Sequence, residues 1–391
     1  MEGPRSILDT DLYKLTMQQA VARLYPRAQA RYAFINRGGT PFPAGFAREL
    51  GALVREMGRL RLLPEERRWL ERRCPYFTPV YLDLLEGYRF DPDEIHLEQS
   101  GGELSLFAEG YWYRTILWEV PLMALVSELY FEMSGEGREA WPEEERRRVA
   151  RDKALLFRDN GIRFVDFGTR RRFSYENHRA VVEELRAAGE CFLGTSCVHL
   201  AHLYDLNPVG TQAHEWFQFH AVANGFLSAN RIALESWVEV YRGELGIALT
   251  DTYGTDNFLR SFDGRLARLF DGVRQDSGDP FAVLEKVLEH YRSLRIDPST
   301  KTLVFSDSLD PQRVLELHAA CAGRIRDLYG IGTNLTNDVG VKPLNMVIKL
   351  VACRTSPDQP WVPAVKLSDD IGKYTGDRAM IELCRRTLGA A

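Results

Sequence analysis

Pro208-Val209-Gly210-Thr211-Gln212-Ala213-His214-Glu215-Trp216 reads as a short apolar strand that ends on a Gly-Thr turn and delivers a histidine at the mouth of a helix. The same order of apolar strand, polar or acidic turn and helix recurs downstream. It is found at Ile247-Ala248-Leu249-Thr250-Asp251, Gly272-Val273-Arg274-Gln275-Asp276-Ser277-Gly278-Asp279, Leu303-Val304-Phe305-Ser306-Asp307 and Leu328-Tyr329-Gly330-Ile331-Gly332-Thr333-Asn334. Upstream, strands over 164–168 and 190–194 alternate with helices over 177–188 and 197–204. Downstream helices are expected over 256–270, 280–293 and 311–320, with a last strand from 346. Short apolar strands separated by helices predict a parallel sheet buried on both faces. Seven or eight such units point to an α/β barrel, and an incomplete or irregular barrel is equally compatible.

Ahead of this region the chain is mixed: a helix over 11–24, a strand over 29–34, a charged helical stretch over 46–73, an apolar helix over 118–133 and a charged one over 142–160. The expected organisation is an N-terminal α+β domain, 1–115, joined by the tail 355–391, and an α/β barrel domain, 116–354. The long helical region after His214 contains Gly225 and is expected to break there. A charged tail segment, Val365-Lys366-Leu367-Ser368-Asp369-Asp370, is placed against the N-terminal domain.

A chain of 391 residues with 45% hydrophobic content suits a soluble globular protein with a large core. A net charge of -5 offers no field that would gather nucleic acid or an anionic membrane. Cys74, Cys191, Cys197, Cys321, Cys353 and Cys384 are scattered without a C-x-x-C pair, as expected of thiols in a reducing cytosol. No signal-peptide stretch and no apolar run of membrane-spanning length is present, so a cytoplasmic protein is expected.

In a parallel α/β barrel the reacting groups sit at the carboxyl ends of the strands. The alternative is that the polar turns are only helix N-caps. Capping accounts for Asp310 before Pro311, but not for Asp276-Ser277-Gly278-Asp279, where two carboxylates flank a Ser-Gly turn behind Arg274. That turn suits ribose hydroxyls or a magnesium-bound diphosphate, since hard Mg²⁺ prefers oxygen ligands. Asp251 and Asp307 share the same kind of position. Gly332-Thr333 can offer backbone N–H groups and a hydroxyl to a phosphate. Neither the P-loop nor the dinucleotide-binding G-x-G-x-x-G context is present, which argues against NAD as a cofactor. In Phe167-Gly168-Thr169-Arg170-Arg171-Arg172 an aromatic face precedes guanidinium groups able to hold a carboxylate or phosphate. A solvated turn is the reading for Arg172, not for Arg170. His214-Glu215-Trp216-Phe217-Gln218 lacks the second histidine of H-E-x-x-H, which argues against zinc.

Taken in order, Thr10-Asp11-Leu12-Tyr13-Lys14, Asp166-Phe167-Gly168-Thr169-Arg170-Arg171, Gly210-Thr211-Gln212-Ala213-His214-Glu215-Trp216, Arg274-Gln275-Asp276-Ser277-Gly278-Asp279 and Gly330-Ile331-Gly332-Thr333 closely resemble the nicotinate phosphoribosyltransferase family over nearly the whole chain. The resemblance implies transfer of a phosphoribosyl group from 5-phosphoribosyl 1-diphosphate to the ring nitrogen of nicotinate, coupled to ATP hydrolysis, as an entry step of NAD salvage. It implies an irregular α/β barrel with a second domain built from both chain ends, usually a homodimer. His214 would be the transient phosphohistidine, with Asp251 and Asp276 at the same catalytic site. Tyr13, from the partner subunit, and Phe167 would sandwich the pyridine ring. Arg170 would hold its carboxylate, with Gly168, Ser196 and Gly210 lining it. Arg274, Ser277, Asp279 and Asp307 would serve the ribose and diphosphate, Gly332 and Thr333 the 5-phosphate. Mg²⁺ would arrive with the substrate phosphates and meet Asp276 and Asp279.

Related nicotinamide enzymes carry an aspartate at the position of Ser196, which favours the acid as substrate here. The cysteine-rich metal knuckle of some relatives is absent, so no structural zinc is expected. Nicotinamide or quinolinate transfer is the nearest rival. A sugar-phosphate lyase would need a strand-end lysine, and only Lys349 lies inside a predicted strand; a non-catalytic ligand sensor fits poorly with the acidic turns and His214.

Overall fold

The computed structural model describes residues 3–389. Its strands are β1 (Gln29–Asn36), β2 (Ile95–Ser100), β3 (Glu103–Tyr111), β4 (Phe164–Asp166), β5 (Phe192–Thr195), β6 (Ile247–Leu249), β7 (Gly272–Gln275), β8 (Thr302–Phe305), β9 (Arg326–Ile331), β10 (Met346–Arg354) and β11 (Val362–Pro363). The class is mixed α/β, with parallel and antiparallel pairing both present. Packing divides the chain into two compact units. One holds the residues up to Ala22 with Ala30–Gly210 and Ile331–Lys349; the other holds Arg23–Gln29, Thr211–Gly330 and the residues from Leu350.

In the first unit β1, β3 and β2 lie in that hydrogen-bonded order. β2 and β3 form an antiparallel hairpin, Ile95 opposite Ala108 and Ser100 opposite Glu103, closed by Gly101-Gly102 with Gly101 at φ 58°. A Gly-Gly step between alternating segments is a hairpin signal, and the sequence reading passes over it. β4 and β5 pair in parallel, Asp166 opposite Thr195, so the loops after both strands leave from one edge. The apolar helix expected over 118–133 is Glu119–Ser134, buried on nearly all sides from Glu119 to Phe131, as a helix without a polar face must be.

In the second unit β9, β8, β7 and β6 run parallel in that order. Leu303, Val304 and Phe305 of β8 are all buried, as expected of a strand covered on both faces. Asp279, Asp310 and Asp263 cap the helices Pro280–Ser293, Pro311–Cys321 and Gly264–Leu269 with their side chains.

Three expected elements differ. No strand precedes His214: Pro208 makes one isolated bridge with Thr195 and the chain is irregular to Ala213, since proline has no N–H for a ladder. The stretch 46–73 is two helices, Phe46–Met57 and Pro64–Arg73, because Pro64 is accommodated as the first residue of a helix and not inside one. The stretch 256–270 is likewise two, Thr255–Ser261 and Gly264–Leu269, separated at the Asp263 cap. The break at Gly225 is found, between His214–Asn224 and Phe226–Tyr241. Among the described residues no helix is long and apolar enough to cross a membrane.

Candidate active site

In the first unit the site grows from Asp166 at the end of β4. Its Oδ1 accepts the Gly168 N–H at 2.8 Å, and its Oδ2 accepts the Thr195 hydroxyl at 2.6 Å and lies 2.6 Å from His178 Nε2. Burial would raise this carboxyl, but His178 and these hydrogen bonds outweigh it and hold it below its ordinary value. The turn that carries Phe167 and Gly168 is thereby fixed from beneath. Gly168 has no alternative residue: a Cβ there would lie 2.2 Å from the Thr336 side chain. Phe167 is half-buried and its N–H donates to the Ile331 carbonyl at 2.8 Å, which sets Gly332 and Thr333 beside the same turn.

Arg170 follows, partly exposed, its guanidinium 3.8 Å from Asp11 Oδ2 and 3.8 Å from Glu119 Oε1. Both acids are held from their other side, Asp11 by the Ser196 hydroxyl at 2.7 Å and Glu119 by the buried Lys14 ammonium at 2.5 Å. Burial raises Asp11 despite Arg170; Glu119 is lowered because Lys14 and Arg170 outweigh its burial. Tyr13 lies on the first turn of the helix Leu12–Leu24, and a Cβ on Gly210 would come 3.1 Å from its backbone nitrogen. Thus Tyr13, Phe167, Gly168, Arg170, Ser196, Gly210, Gly332 and Thr333 all fall in one unit.

Arg172 corrects the sequence reading. It is not a solvated turn residue but is buried, bidentate on Asp9 at 2.6 and 2.8 Å and bonded through Nε to Glu128 at 2.8 Å. Its acids lie far off in sequence, so the run of arginines alone could not distinguish the inward guanidinium from the outward ones.

The second unit carries the other set. His214 is the first residue of its helix and is buried. Nδ1 lies 3.0 Å from the Thr252 hydroxyl, and Nε2 lies 3.0 Å from Asp276 Oδ2, 2.9 Å from Lys366 Nζ and 3.9 Å from Asp251 Oδ1. Burial, and then the Lys366 charge, push His214 down to about 4, so the ring is neutral at pH 7. Burial acts to raise Asp251 and Asp276. His214 and Lys366 overcome it for Asp251, and Arg274 and His214 do so for Asp276, which lies well below the carboxylate range. Ser277 donates to Asp251 Oδ2 at 2.5 Å and Ser306 to Asp276 Oδ1 at 2.6 Å. Arg274 donates to the Gln212 carbonyl at 3.3 Å, and its Nε is buried without a hydrogen-bond partner.

Two predicted residues stand apart from this cluster. Asp279 is exposed and accepts the Phe281 N–H at 3.1 Å as a helix cap. Asp307 is paired with Lys373 at 2.6 Å. Lys366, Thr252 and Ser306 are absent from the sequence reading of the site. The signal for Lys366 was one lysine between apolar Val365 and Leu367, a poor place for a purely solvated charge.

The nearest ligand atoms of His214, Asp251 and Asp276 lie within 4.8 Å of one another. Two carboxylates suit a hard cation, and Asp251 Oδ1 is buried without a hydrogen-bond partner, so an oxygen lone pair is open to one. The residues therefore fit Mg²⁺ through Asp251 and Asp276; among them the imidazole is the poorer ligand.

A sequence model described as the nicotinate phosphoribosyltransferase (NAPRTase) family matches residues 162–390, and one described as its N-terminal domain matches residues 8–127. The chain belongs to the nicotinate phosphoribosyltransferase family. It is 54% identical over 385 residues to the nicotinate phosphoribosyltransferase of Desulforapulum autotrophicum, covering 98% of both chains, and 53% identical to that of Chromohalobacter salexigens, again covering 98% of both. Among solved structures it is similar to nicotinate phosphoribosyltransferase from Porphyromonas gingivalis, with a TM-score of 0.96, 46% identity, and coverage of 99% of this chain and 100% of that one. The likeness spans both compact units.

Proposed function

We propose that the chain forms nicotinate mononucleotide and diphosphate from nicotinate and 5-phosphoribosyl 1-diphosphate, with ATP hydrolysis coupled through a phosphohistidine at His214, in NAD salvage. The observation that carries this reading is His214 itself: a buried, neutral imidazole beside Asp251, Asp276 and Lys366 in a member of this family. A neutral imidazole offers one ring nitrogen's lone pair as nucleophile. It attacks the terminal phosphorus of ATP; an N–P bond forms, the P–O bond to ADP breaks, and ADP leaves with the electron pair. Water later cleaves the N–P bond, restoring the imidazole and releasing phosphate.

In the transfer step the pyridine nitrogen of nicotinate attacks the ribose carbon that bears diphosphate, and the C–O bond breaks toward the diphosphate. Arg170 would hold the nicotinate carboxylate, Phe167 and Tyr13 of the partner subunit the ring faces, and Arg274 would meet the departing negative charge. Asp276 and Asp251 would steady positive charge on the ribose carbon as the bond to diphosphate opens. Mg²⁺, held through Asp251 and Asp276, would supply further neutralisation of the diphosphate. A homodimer belongs to the same reading and is tested by sedimentation.

The deciding experiment supplies nicotinate, 5-phosphoribosyl 1-diphosphate and Mg-ATP, with nicotinamide as the comparison substrate, and measures diphosphate and ADP. Diphosphate release with nicotinate, and ADP release lost in His214→Ala, is the expected result. Mononucleotide formation with unchanged ADP release in that variant would remove His214 as the coupling residue.

A further inference from the structure

Lys366 is 6% exposed and sets Nζ 2.9 Å from His214 Nε2 and 3.3 Å from Asp251 Oδ2. An ammonium has donors and no acceptor, so its hydrogen bond to the ring requires a lone pair on Nε2. The remaining ring proton then sits on Nδ1 and is donated to the Thr252 hydroxyl at 3.0 Å. Asp276 Oδ2, 3.0 Å from the same Nε2, asks for the opposite tautomer, with the proton on Nε2. One Nε2 cannot both accept from Lys366 and donate to Asp276, so the choice between these neighbours decides which nitrogen is nucleophilic. Asp276 already has Ser306 on its other oxygen at 2.6 Å, and Lys366 is held in place by Asp251.

We propose that Lys366 is the positioning residue that keeps His214 in its Nδ1–H tautomer with Nε2 as the nucleophile, and that it then serves as counter-charge to the phosphoryl group on Nε2. This rests on His214 being the phosphoryl acceptor. Without Lys366, the two carboxylates would draw the proton to Nε2 and would repel the arriving phosphate. The bond formed is Nε2–P, the bond broken is P–O to ADP, and the Nδ1 proton stays on Thr252's side throughout.

The test combines labelling with spectroscopy on the full chain. Wild type, Lys366→Met and Lys366→Arg are incubated with Mg-ATP labelled in its terminal phosphate, and acid-labile, base-stable phosphate per chain is followed with time. Lys366→Met is expected to label about 100-fold more slowly, as when one preorganised donor is removed, with the KM for ATP unchanged. Lys366→Arg, which keeps the charge, is expected to recover most of the rate. Proton–nitrogen spectra of ring-labelled histidine should place the wild-type lone pair on Nε2 and, in Lys366→Met, the proton there. Equal labelling of wild type and Lys366→Met, or a wild-type proton on Nε2, overturns the proposal. Absence of label in wild type instead overturns His214 as acceptor. Should Lys366→Met fail to fold, Lys366→Arg and the wild-type spectrum still decide.

Discussion

His214 is kept uncharged by its surroundings, and that has a sign. Its value falls from 6.5 to about 4, burial first and Lys366 second. Between these values the unfolded chain binds a proton that the folded one refuses, so stability rises with pH across that window and is lost on acidification. The loss approaches about 3 kcal/mol for this one group. Urea unfolding at pH 7 and pH 4.5 should show it as a lower midpoint in acid. On the proposed phosphohistidine route, which needs the neutral ring, ADP formation should stay level from pH 8 through the ordinary histidine range, with no decline near 6.5. Arg172 makes the opposite point, since a charge that looks solvated in sequence is buried between Asp9 and Glu128. Arg172→Met should destabilise by about 3–5 kcal/mol, because it leaves two buried carboxylates uncompensated, and thermal unfolding will measure it. Ser196 donates to buried Asp11, so Ser196→Asp would set one carboxylate against another. Weaker nicotinate use in that variant should come with a lower melting temperature; unchanged kinetics would remove the specificity argument.

At the scale of elements, the strand ends were legible because their cause is local. Gly272-Val273-Arg274-Gln275 and Thr302-Leu303-Val304-Phe305 are short, apolar and followed by capping acids, and they are β7 and β8 as read. Gly272 shows why one position in such a strand has no side chain. A Cβ there would lie 1.9 Å from the Thr302 carbonyl oxygen of the neighbouring strand, which is backbone and cannot turn aside. Gly272→Ala should therefore cost about 3 kcal/mol, read by chemical denaturation, and should loosen Arg274 and Asp276 two and four residues on. Where the reading failed, the cause lay in tertiary context or an overlooked turn. Pro64 begins a helix where periodicity ran on, and Gly101-Gly102 closes a hairpin whose half-buried strands carry too few large apolar residues to stand out. The irregular chain from Pro208 to Ala213 still delivers His214 to a helix start, so the position at a helix mouth was legible though the strand before it was not.

At the scale of the molecule, each compact unit is assembled from separated lengths of chain, and this is what sequence could not show. The residues around Asp166 and Arg170 were read from one strand end, but Asp9 and Asp11 reach them from the N-terminal segment. In the second unit the late segment does the same. Leu367 donates its N–H to Thr252 at 2.9 Å, Asp369 accepts from Thr255, and the helix Arg378–Leu388 packs on Phe226–Tyr241 with Cys384 and Leu388 buried. A chain stopped after Pro363 should lose ADP formation entirely, and amides over 211–330 should exchange faster by mass spectrometry. The position of Lys366 also reaches into biosynthesis. It follows His214 by 152 residues, which at ordinary translation speeds is roughly 8–30 s of ribosome time. On the proposed route the nucleophile is thus made long before the charge that aims it, and a growing chain would carry a histidine that reacts with ATP only slowly.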